Sequence, residues 1–302
     1  MPELKLFKVP DAEGVTATEV AAEAVLLERE LQDMIEHNME AFFGVRFLKS
    51  EYAINSGRMD SIGIDENGSP VIFEYKRTIS ENVINQGLFY LDWLLDHKAD
   101  FGLLVLKTLG DKVYDSIDWS APCVICVAND FSKYDLHAVN QMQRNIKLVK
   151  YRRYKDENLI LFEHLNVPVV SGSSQSNDVP VSKGPVQKSH VEKLMTLDVT
   201  LKKIYEALCG YIEGLGDDLT KNQLKLYLAY RRVKNLFCIE VYSKQIIVRT
   251  KLDPDTVDIE PDFTKDTRSI GHYGTGDLEI IIKSETDLEK AKPLLDRAYN
   301  EA

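Results

Sequence analysis

The sequence predicts a mixed α/β domain followed by a smaller α+β domain. Three observations support this fold class. Helical and extended segments alternate through the first half of the chain, and a stretch rich in Ser, Gly, Pro and Asn then interrupts the pattern. The 302 residues are also enough for two hydrophobic cores. We therefore place the first domain at residues 1–167, a flexible linker at 168–190 and the second domain at 191–302.

The first predicted element is a long amphipathic helix. It is expected to begin at Thr16 or Thr18 and to end at Gly44, since glycine commonly terminates helices. Its apolar face is formed by residues at helical spacing, namely Leu27, Leu31, Met34 and Ile35.

Three extended segments follow the helix, at residues 46–54, 58–65 and 70–77. The last two are separated by a short polar stretch that contains Asn67-Gly68, the dipeptide best suited to a tight hairpin turn. We therefore expect these two segments to pair as an antiparallel hairpin.

The remainder of the first domain alternates between helices and strands. The predicted elements are a helix at 80–98, an apolar strand at 101–108, a buried strand at 122–129, a helix near 132–143, and strands at 146–152 and 159–165. Cys123 and Cys126 form a CxxC pattern within one of these strands. Positions three apart point to opposite faces of a strand, so we interpret both cysteines as core residues and not as a redox or metal motif.

The net charge of −11 is unfavourable for binding nucleic acid, because affinity for phosphates depends on Lys and Arg. The densest basic stretch runs from Arg144 to Lys155 and contains Tyr151 and Tyr154 between its positive charges. It is interpreted either as a nucleic-acid contact or as a solvated edge strand. The six histidines lack HxH and HExxH spacings, and no nucleotide-binding glycine motif is present.

Three charged residues stand on the predicted hairpin where strands usually carry apolar side chains. Glu74 and Lys76 are two positions apart and so share one face of their strand, and Asp60 lies on the neighbouring strand. Adjacent strands are about 4.8 Å apart, so the two carboxylates are expected to share one divalent cation. Lys76 would then orient or deprotonate a water molecule and stabilise developing negative charge.

The order "GRMD" and then "EYK" resembles the PD-(D/E)xK nuclease superfamily. Gln86 and Tyr90 on the next helix form the QxxxY motif of its RecB-like branch, and "LERELQDMIEHN" is similar to the acidic helix of the NucS endonucleases. The resemblance implies a restriction-endonuclease-like mixed sheet flanked by helices.

The resemblance also implies roles for individual residues. Asp60 and Glu74 would bind Mg²⁺ or Mn²⁺, helped by a helix-borne acid that is Glu28 or, as second choice, Glu30. Lys76, Gln86 and Tyr90 would complete the catalytic site. The expected nucleic-acid contacts are the arginines Arg58, Arg77, Arg152 and Arg153.

The second domain is predicted to start with a helix at 199–216 whose inward residues are Leu201, Ile204, Tyr205 and Leu208. Two strands around Ser243-Lys244 and a closing helix at 284–299 follow, and the region resembles the DUF5655 domain found behind RecB-like nucleases. The glycine-rich loop "RSIGHYGTGDLEI" is either a phosphate- or partner-binding loop or a structural turn.

The sequence therefore predicts a cytoplasmic, metal-dependent endonuclease that acts on nucleic acid, with a second domain that recognises substrate or a partner. DNA is favoured over RNA as the substrate, and the sequence leaves this choice open. No membrane-spanning segment is expected. Relatives that cut both strands are often dimers, so a homodimer is considered on this analogy alone, and the sequence leaves the oligomeric state open. Two alternatives remain open: a catalytically inactive module that binds nucleic acid or protein, and a regulatory adaptor of a defence or repair assembly.

Overall fold

The computed structural model describes residues 5–9, 16–22, 27–77, 83–142, 144–154, 157–166, 188–270 and 272–301. Two short strands, β1 (Leu6–Lys8) and β2 (Thr18–Val20), form a separate antiparallel ribbon. The other elements of the first domain are α1 (Glu28–Phe43), β3 (Val45–Ile54), β4 (Gly57–Asp65), β5 (Pro70–Lys76), α2 (Val83–Asp96), α3 (Lys98–Leu109), α4 (Asp111–Asp115), β6 (Cys123–Ala128), α5 (Lys133–Gln141), β7 (Ile146–Tyr154) and β8 (Leu159–His164).

The first domain is built on one six-stranded mixed sheet in the order β3-β4-β5-β6-β7-β8. Strands β5, β6 and β7 run parallel, while β3, β4 and β8 pair antiparallel with their neighbours. Helix α1 buries Leu31 and Ile35 against one face, and α2 buries Leu91 and Leu94 against the other. The predicted mixed sheet flanked by helices is thus confirmed.

The first helix is shorter than predicted. It begins at Glu28, and residues 18–20, where the sequence predicted its start, are extended and pair with β1. The predicted end is confirmed, because Gly44 adopts a left-handed conformation (φ 66°) that closes the helix. Leu27 precedes the helix and is 54% exposed, so its assignment to the buried face was wrong.

The predicted apolar strand at residues 101–108 is also wrong, because these residues lie in helix α3. Phe101 and Val105, four positions apart, are buried, whereas Leu103 between them is 51% exposed. A short apolar run fits a buried strand and a helix equally well, and here the leucine-rich composition favours the helix.

Both cysteines of the CxxC pattern are buried in β6, as predicted. Cys123 packs in the core beneath α1 and Cys126 in the core beneath α2, which confirms that they point to opposite faces. The predicted start of the helix at residue 80 lies outside the described residues, and so does the linker except for its last three residues, Lys188, Ser189 and His190.

The basic stretch that includes Tyr151 and Tyr154 forms β7, an internal strand covered by β8 on its outer side. Both tyrosines are almost fully buried, at 3% and 4% exposure. The interpretation of this stretch as a solvated edge strand was therefore wrong, and its tyrosines are core residues that offer no exposed ring for stacking on bases.

The second domain contains a six-stranded antiparallel sheet in the order β13-β14-β12-β11-β10-β9. Its elements are α6 (His190–Met195), α7 (Val199–Glu213), β9 (Thr220–Gln223), β10 (Leu228–Arg231), β11 (Asn235–Tyr242), β12 (Gln245–Thr250), β13 (Thr264–Asp266), β14 (Leu278–Ile282) and α8 (Glu285–Asn300). Helices α7 and α8 cover one face, and the predicted inward residues Leu201, Ile204 and Leu208 are buried there. Across the described residues, none of the helices has the length and apolar character needed to cross a membrane.

The other face of this second sheet packs against the first domain. The turn between β4 and β5 inserts into it, where the Asn67 side-chain oxygen accepts hydrogen bonds from Tyr227 Oη (2.9 Å) and from the Asn235 amide. Arg231 Nη1 contacts Asp65 Oδ2 at 3.3 Å, and both side chains are only 7% exposed. The predicted tight turn is therefore also a contact between the domains.

Glycine at position 68 is required by this packing. Gly68 has a positive φ of 80°, and a Cβ atom there would lie 2.0 Å from the carbonyl oxygen of Ser116. Both the backbone conformation and the space thus exclude a larger residue.

Candidate active site

The hairpin places Asp60 opposite Glu74. The β4–β5 ladder ends at the pair Ser61 and Phe73, so the next residues on the two strands are Asp60 and Glu74. Side chains continue the pairing beyond this point: Asp60 Oδ2 accepts a hydrogen bond from the Tyr75 N–H at 2.9 Å, and Glu74 Oε1 lies 3.4 Å from the Asp60 N–H. The two carboxylates consequently share one pocket at the end of the hairpin farthest from the interdomain turn.

Burial makes this pair of acids electrostatically unfavourable without a cation. Glu74 is only 2% exposed, and its burial, followed by the negative charge of Asp60, raises its pKa to about 8. Burial also raises the pKa of Asp60, although the Tyr75 N–H and the charge of Lys76 oppose this effect. A positive ion between the two groups would relieve the repulsion.

The two candidate helix-borne acids lie in different places. Glu28 Oε1 is 3.2 Å from Lys76 Nζ, so the first turn of α1 reaches the end of β5. Glu30 Oε2 instead accepts a hydrogen bond from the Leu27 N–H at 3.2 Å and caps the helix. The structure thus brings Glu28 to the site and gives Glu30 a local role in the helix terminus.

Tyr90 borders the site from helix α2. Its hydroxyl accepts a hydrogen bond from the Arg58 N–H at 3.3 Å, two residues before Asp60. Gly57 permits this approach, because a Cβ atom there would lie 2.9 Å from the Tyr90 hydroxyl oxygen. Gln86 is half-buried one turn earlier on the same helix.

The four arginines predicted to contact nucleic acid are not brought together. Arg58 is exposed beside the site, where it pairs with Glu51 at 3.2 Å. Arg77 is exposed directly after Lys76. Arg152 and Arg153 lie on β7, two strands away from β5, and as consecutive residues they point to opposite faces of the sheet.

Sequence reasoning missed a polar network beneath the hairpin. Gln32 Nε2 donates to the Asp60 carbonyl oxygen and to Glu36 Oε1, both at 2.9 Å. Ser61 Oγ donates to the same glutamate at 2.5 Å and accepts from the Tyr75 hydroxyl at 3.0 Å. The signal in the sequence is the pair Gln32 and Glu36, four positions apart and directly after the buried Leu31 and Ile35.

The donor atoms of the pocket suit a hard divalent cation. Among the described side chains, no group of three or more His, Cys, Asp or Glu residues is arranged to hold a metal ion. Asp60 and Glu74 nevertheless supply two carboxylates, and Mg²⁺ is commonly held by one or two carboxylates together with water and substrate phosphate. These two residues would hold the ion, while Glu28 faces Lys76.

Two family models match the chain. Residues 27–109 match the family described as the endonuclease NucS C-terminal domain, and residues 191–302 match the domain of unknown function DUF5655. These matches confirm the predicted resemblances to the NucS endonucleases and to the DUF5655 domain. The second match also coincides with the predicted extent of the second domain.

An uncharacterized protein of Haemophilus influenzae is 30% identical over 285 residues, which cover 91% of this chain and 93% of that protein. Among solved structures, the EndoMS–dsDNA complex shares 21% identity over 42% of this chain and 47% of its own, with a TM-score of 0.29. A repair endonuclease from Pyrococcus abyssi shares 18% identity over 44% of this chain and 51% of its own, with a TM-score of 0.28. The chain thus spans about half the length of these two structures.

Proposed function

We propose that this chain, which belongs to the same family as the uncharacterized Haemophilus influenzae protein, is a divalent-metal-dependent endonuclease. Residues 27–109, which match the endonuclease NucS C-terminal domain, contain Asp60, Glu74, Lys76 and the other residues gathered at the candidate site. We propose DNA as the substrate because this is what the resemblance to the NucS endonucleases implies.

One observation carries the proposal: Asp60 and Glu74 face each other across the open end of a hairpin, and Lys76 stands beside them. A structural ion pair would place one acid against one base. Here two acids lie together, and the more buried of them, Glu74, has its pKa raised to about 8. Strongly perturbed pKa values of this kind cluster at functional sites, and two close carboxylates can share one divalent cation.

Each of these residues would then have a separate role in phosphodiester hydrolysis. A Mg²⁺ or Mn²⁺ ion held by Asp60 and Glu74 would polarise the scissile phosphate. Lys76 Nζ, kept in place by Glu28 at 3.2 Å, would orient the attacking water and stabilise the negative charge that develops on the phosphate oxygens. Tyr90 would fix the backbone before Asp60 through its bond to the Arg58 N–H.

The test is cleavage of labelled DNA by the full chain with Mg²⁺ or Mn²⁺. We expect Asp60→Asn and Lys76→Met each to lower the cleavage rate by about 100-fold or more, because each removes a group that acts on the reacting phosphate. Lys107→Met, which alters an exposed lysine of α3, is the matched control and should cleave normally. Full cleavage by the Asp60 and Lys76 variants would remove the proposed mechanism.

A second candidate function is a binding module without catalytic activity. The observation that favours it is the small number of metal ligands. The described residues provide no cluster of three potential ligands, and Glu28 forms an ion pair with Lys76. DNA binding that persists in chelator, with no cleavage of duplex, single-stranded or mismatched DNA in either metal, would favour this alternative.

A further inference from the structure

A second lysine lies in the same row of the sheet as Lys76. In the parallel strands β5, β6 and β7, Lys76 pairs with Ala128, and Ala128 pairs with Lys150. Residues paired in this way point to the same face. The pair two positions earlier confirms this, since Cys126 and Leu148 both pack in the core beneath α2. Lys150 is therefore on the same face of the sheet as Glu74 and Lys76.

Lys150 also lies where open sheets bind ligands. The row formed by Lys76, Ala128 and Lys150 is the last in register at the carboxyl ends of the three parallel strands. Ligands of open α/β sheets bind at this edge. Adjacent strands are about 4.8 Å apart, so the backbones of the two lysines are separated by about 10 Å.

A single acid holds the lysine in position. Asp130 Oδ1 lies 2.7 Å from Lys150 Nζ and also accepts a hydrogen bond from the Phe131 N–H at 3.0 Å. The side chains of Lys150 and Asp130 are 13% and 33% exposed. The ammonium group is therefore oriented by a fixed partner at the margin of the site.

We propose that Lys150 binds a substrate phosphate that flanks the scissile one, and that Asp130 orients it. Phosphates on one nucleic-acid strand recur about every 3.4 Å along the helix axis and lie farther apart than this through space, so a separation of about 10 Å reaches a phosphate no more than roughly three nucleotides from the scissile one. This inference rests on the proposed function in taking a polynucleotide as the ligand. It adds a binding subsite that depends on β6 and β7, outside the residues that match the endonuclease NucS C-terminal domain.

The proposal is tested by DNA binding, independently of cleavage. A fluorescein-labelled DNA duplex is titrated with the full chain in EDTA at several KCl concentrations, and log Kd is plotted against log salt. For Lys150→Met we expect the slope to fall by about 0.9, the value for one lost phosphate contact, and Kd to rise about 5-fold near 0.15 M salt. Lys150→Arg should retain the wild-type slope because it retains the charge.

Asp130→Asn provides a test in the opposite direction. The asparagine can still accept the Phe131 N–H but no longer neutralises Lys150, so binding should tighten. The double variant should behave like Lys150→Met, because Asp130 acts through the lysine. Lys107→Met, an exposed lysine on α3, should leave both Kd and slope unchanged.

The outcomes separate this inference from the proposed function. An unchanged salt slope in a folded Lys150→Met variant overturns the subsite even if the protein cleaves DNA, because the ion pair would then be purely structural. A reduced slope supports the subsite even if no substrate is cut, in which case the nuclease proposal alone fails. Absence of DNA binding by the wild-type chain in EDTA overturns the subsite, whereas the nuclease proposal is decided by the cleavage assay with Mg²⁺ or Mn²⁺. Circular dichroism of each variant establishes that it is folded.

Discussion

The proximity of three candidate site residues could be predicted from the sequence because it depends on short distances along the chain. Glu74 and Lys76 share a face through the two-residue period of a strand, and Asp60 follows from the hairpin. Gln32 was missed, because its contact with the Asp60 carbonyl oxygen joins a helix to a strand 28 positions away. Pairing across such distances depends on the packing of α1, which no local pattern encodes.

His190 gives a prediction about stability and pH. It is fully buried at the start of α6, where its Nε2 lies 3.1 Å from the Tyr205 hydroxyl and its Nδ1 has no hydrogen-bond partner among the described residues. Burial, assisted by the charge of Lys193, lowers its pKa to about 4. The unfolded chain takes up this proton near the ordinary histidine pKa of about 6.5, so between these two values the unfolded state binds more protons.

The free energy of unfolding should therefore fall as the pH drops from about 6.5 to about 4, by about 3 kcal/mol from this residue. Urea unfolding followed by circular dichroism across this range measures the effect. His190→Gln should show a flatter pH dependence than the wild type, whereas His137→Gln, which alters an exposed histidine of α5, should not. Identical pH profiles for wild type and His190→Gln would contradict the assignment.

At the scale of the elements, the three strands β3, β4 and β5 were predicted better than the helices α1 and α3. The hairpin strands are bounded by glycine, asparagine and proline, which end strands in recognisable ways. The start of α1 was misplaced because its apolar spacing continues upstream of Glu28, while its N-cap position is occupied by Leu27, which makes no side-chain capping bond. Helix α3 was mistaken for a strand because its apolar run is short.

Helix α1 is expected to position the hairpin through Gln32. In Gln32→Ala, the Asp60 carbonyl and Glu36 each lose a hydrogen bond, so Asp60 should be held less firmly. We expect the cleavage rate kcat to fall by about 10-fold with little change in KM, and the free energy of unfolding to fall by about 1–2 kcal/mol.

Asn38→Ala is the control on the same helix. Asn38 Nδ2 also donates one side-chain hydrogen bond, to the Met34 carbonyl at 2.9 Å, but this bond stays within α1 and does not reach the hairpin. This variant should keep wild-type kcat. Equal losses of kcat in the two variants would indicate a general loss of helix stability and no specific positioning role for Gln32.

At the scale of the whole molecule, the sequence predicted the division into domains but not their association. The interface joins residues that are far apart in sequence, such as Asn67 and Tyr227, separated by 160 positions. The Asn67-Gly68 signal indicated only a turn. That the same turn carries side chains complementary to a second sheet became visible only in three dimensions.

The buried pair formed by Arg231 and Asp65 should couple the stabilities of the two domains. In Arg231→Met, Asp65 remains buried and loses its cationic partner, while Asn67 and Ser69 still donate to it. We expect a loss of about 3 kcal/mol in the free energy of unfolding. Both tryptophans of the chain, Trp93 and Trp119, lie in the first domain, so the midpoint of urea unfolding by tryptophan fluorescence reports the effect across the interface.

Lys234→Met is the control for this experiment. Lys234 also crosses the interface, 2.8 Å from Glu40, but both side chains are about half exposed. Exposed ion pairs contribute little, so the loss should be below about 1 kcal/mol. If both variants unfolded at the wild-type urea concentration, the interface would contribute nothing to the first domain.

The enclosed position of Gly68 restricts where the chain length can vary within this family. Loops that connect hairpin strands normally accept insertions during evolution. The loop around Gly68 is enclosed on one side by the carbonyl of Ser116 and on the other by the second domain, so added residues there would force the two halves of the molecule apart. Length variation should instead accumulate at the exposed Asn55–Ser56 bend, and chimaeras between relatives should be viable only when both halves are exchanged together.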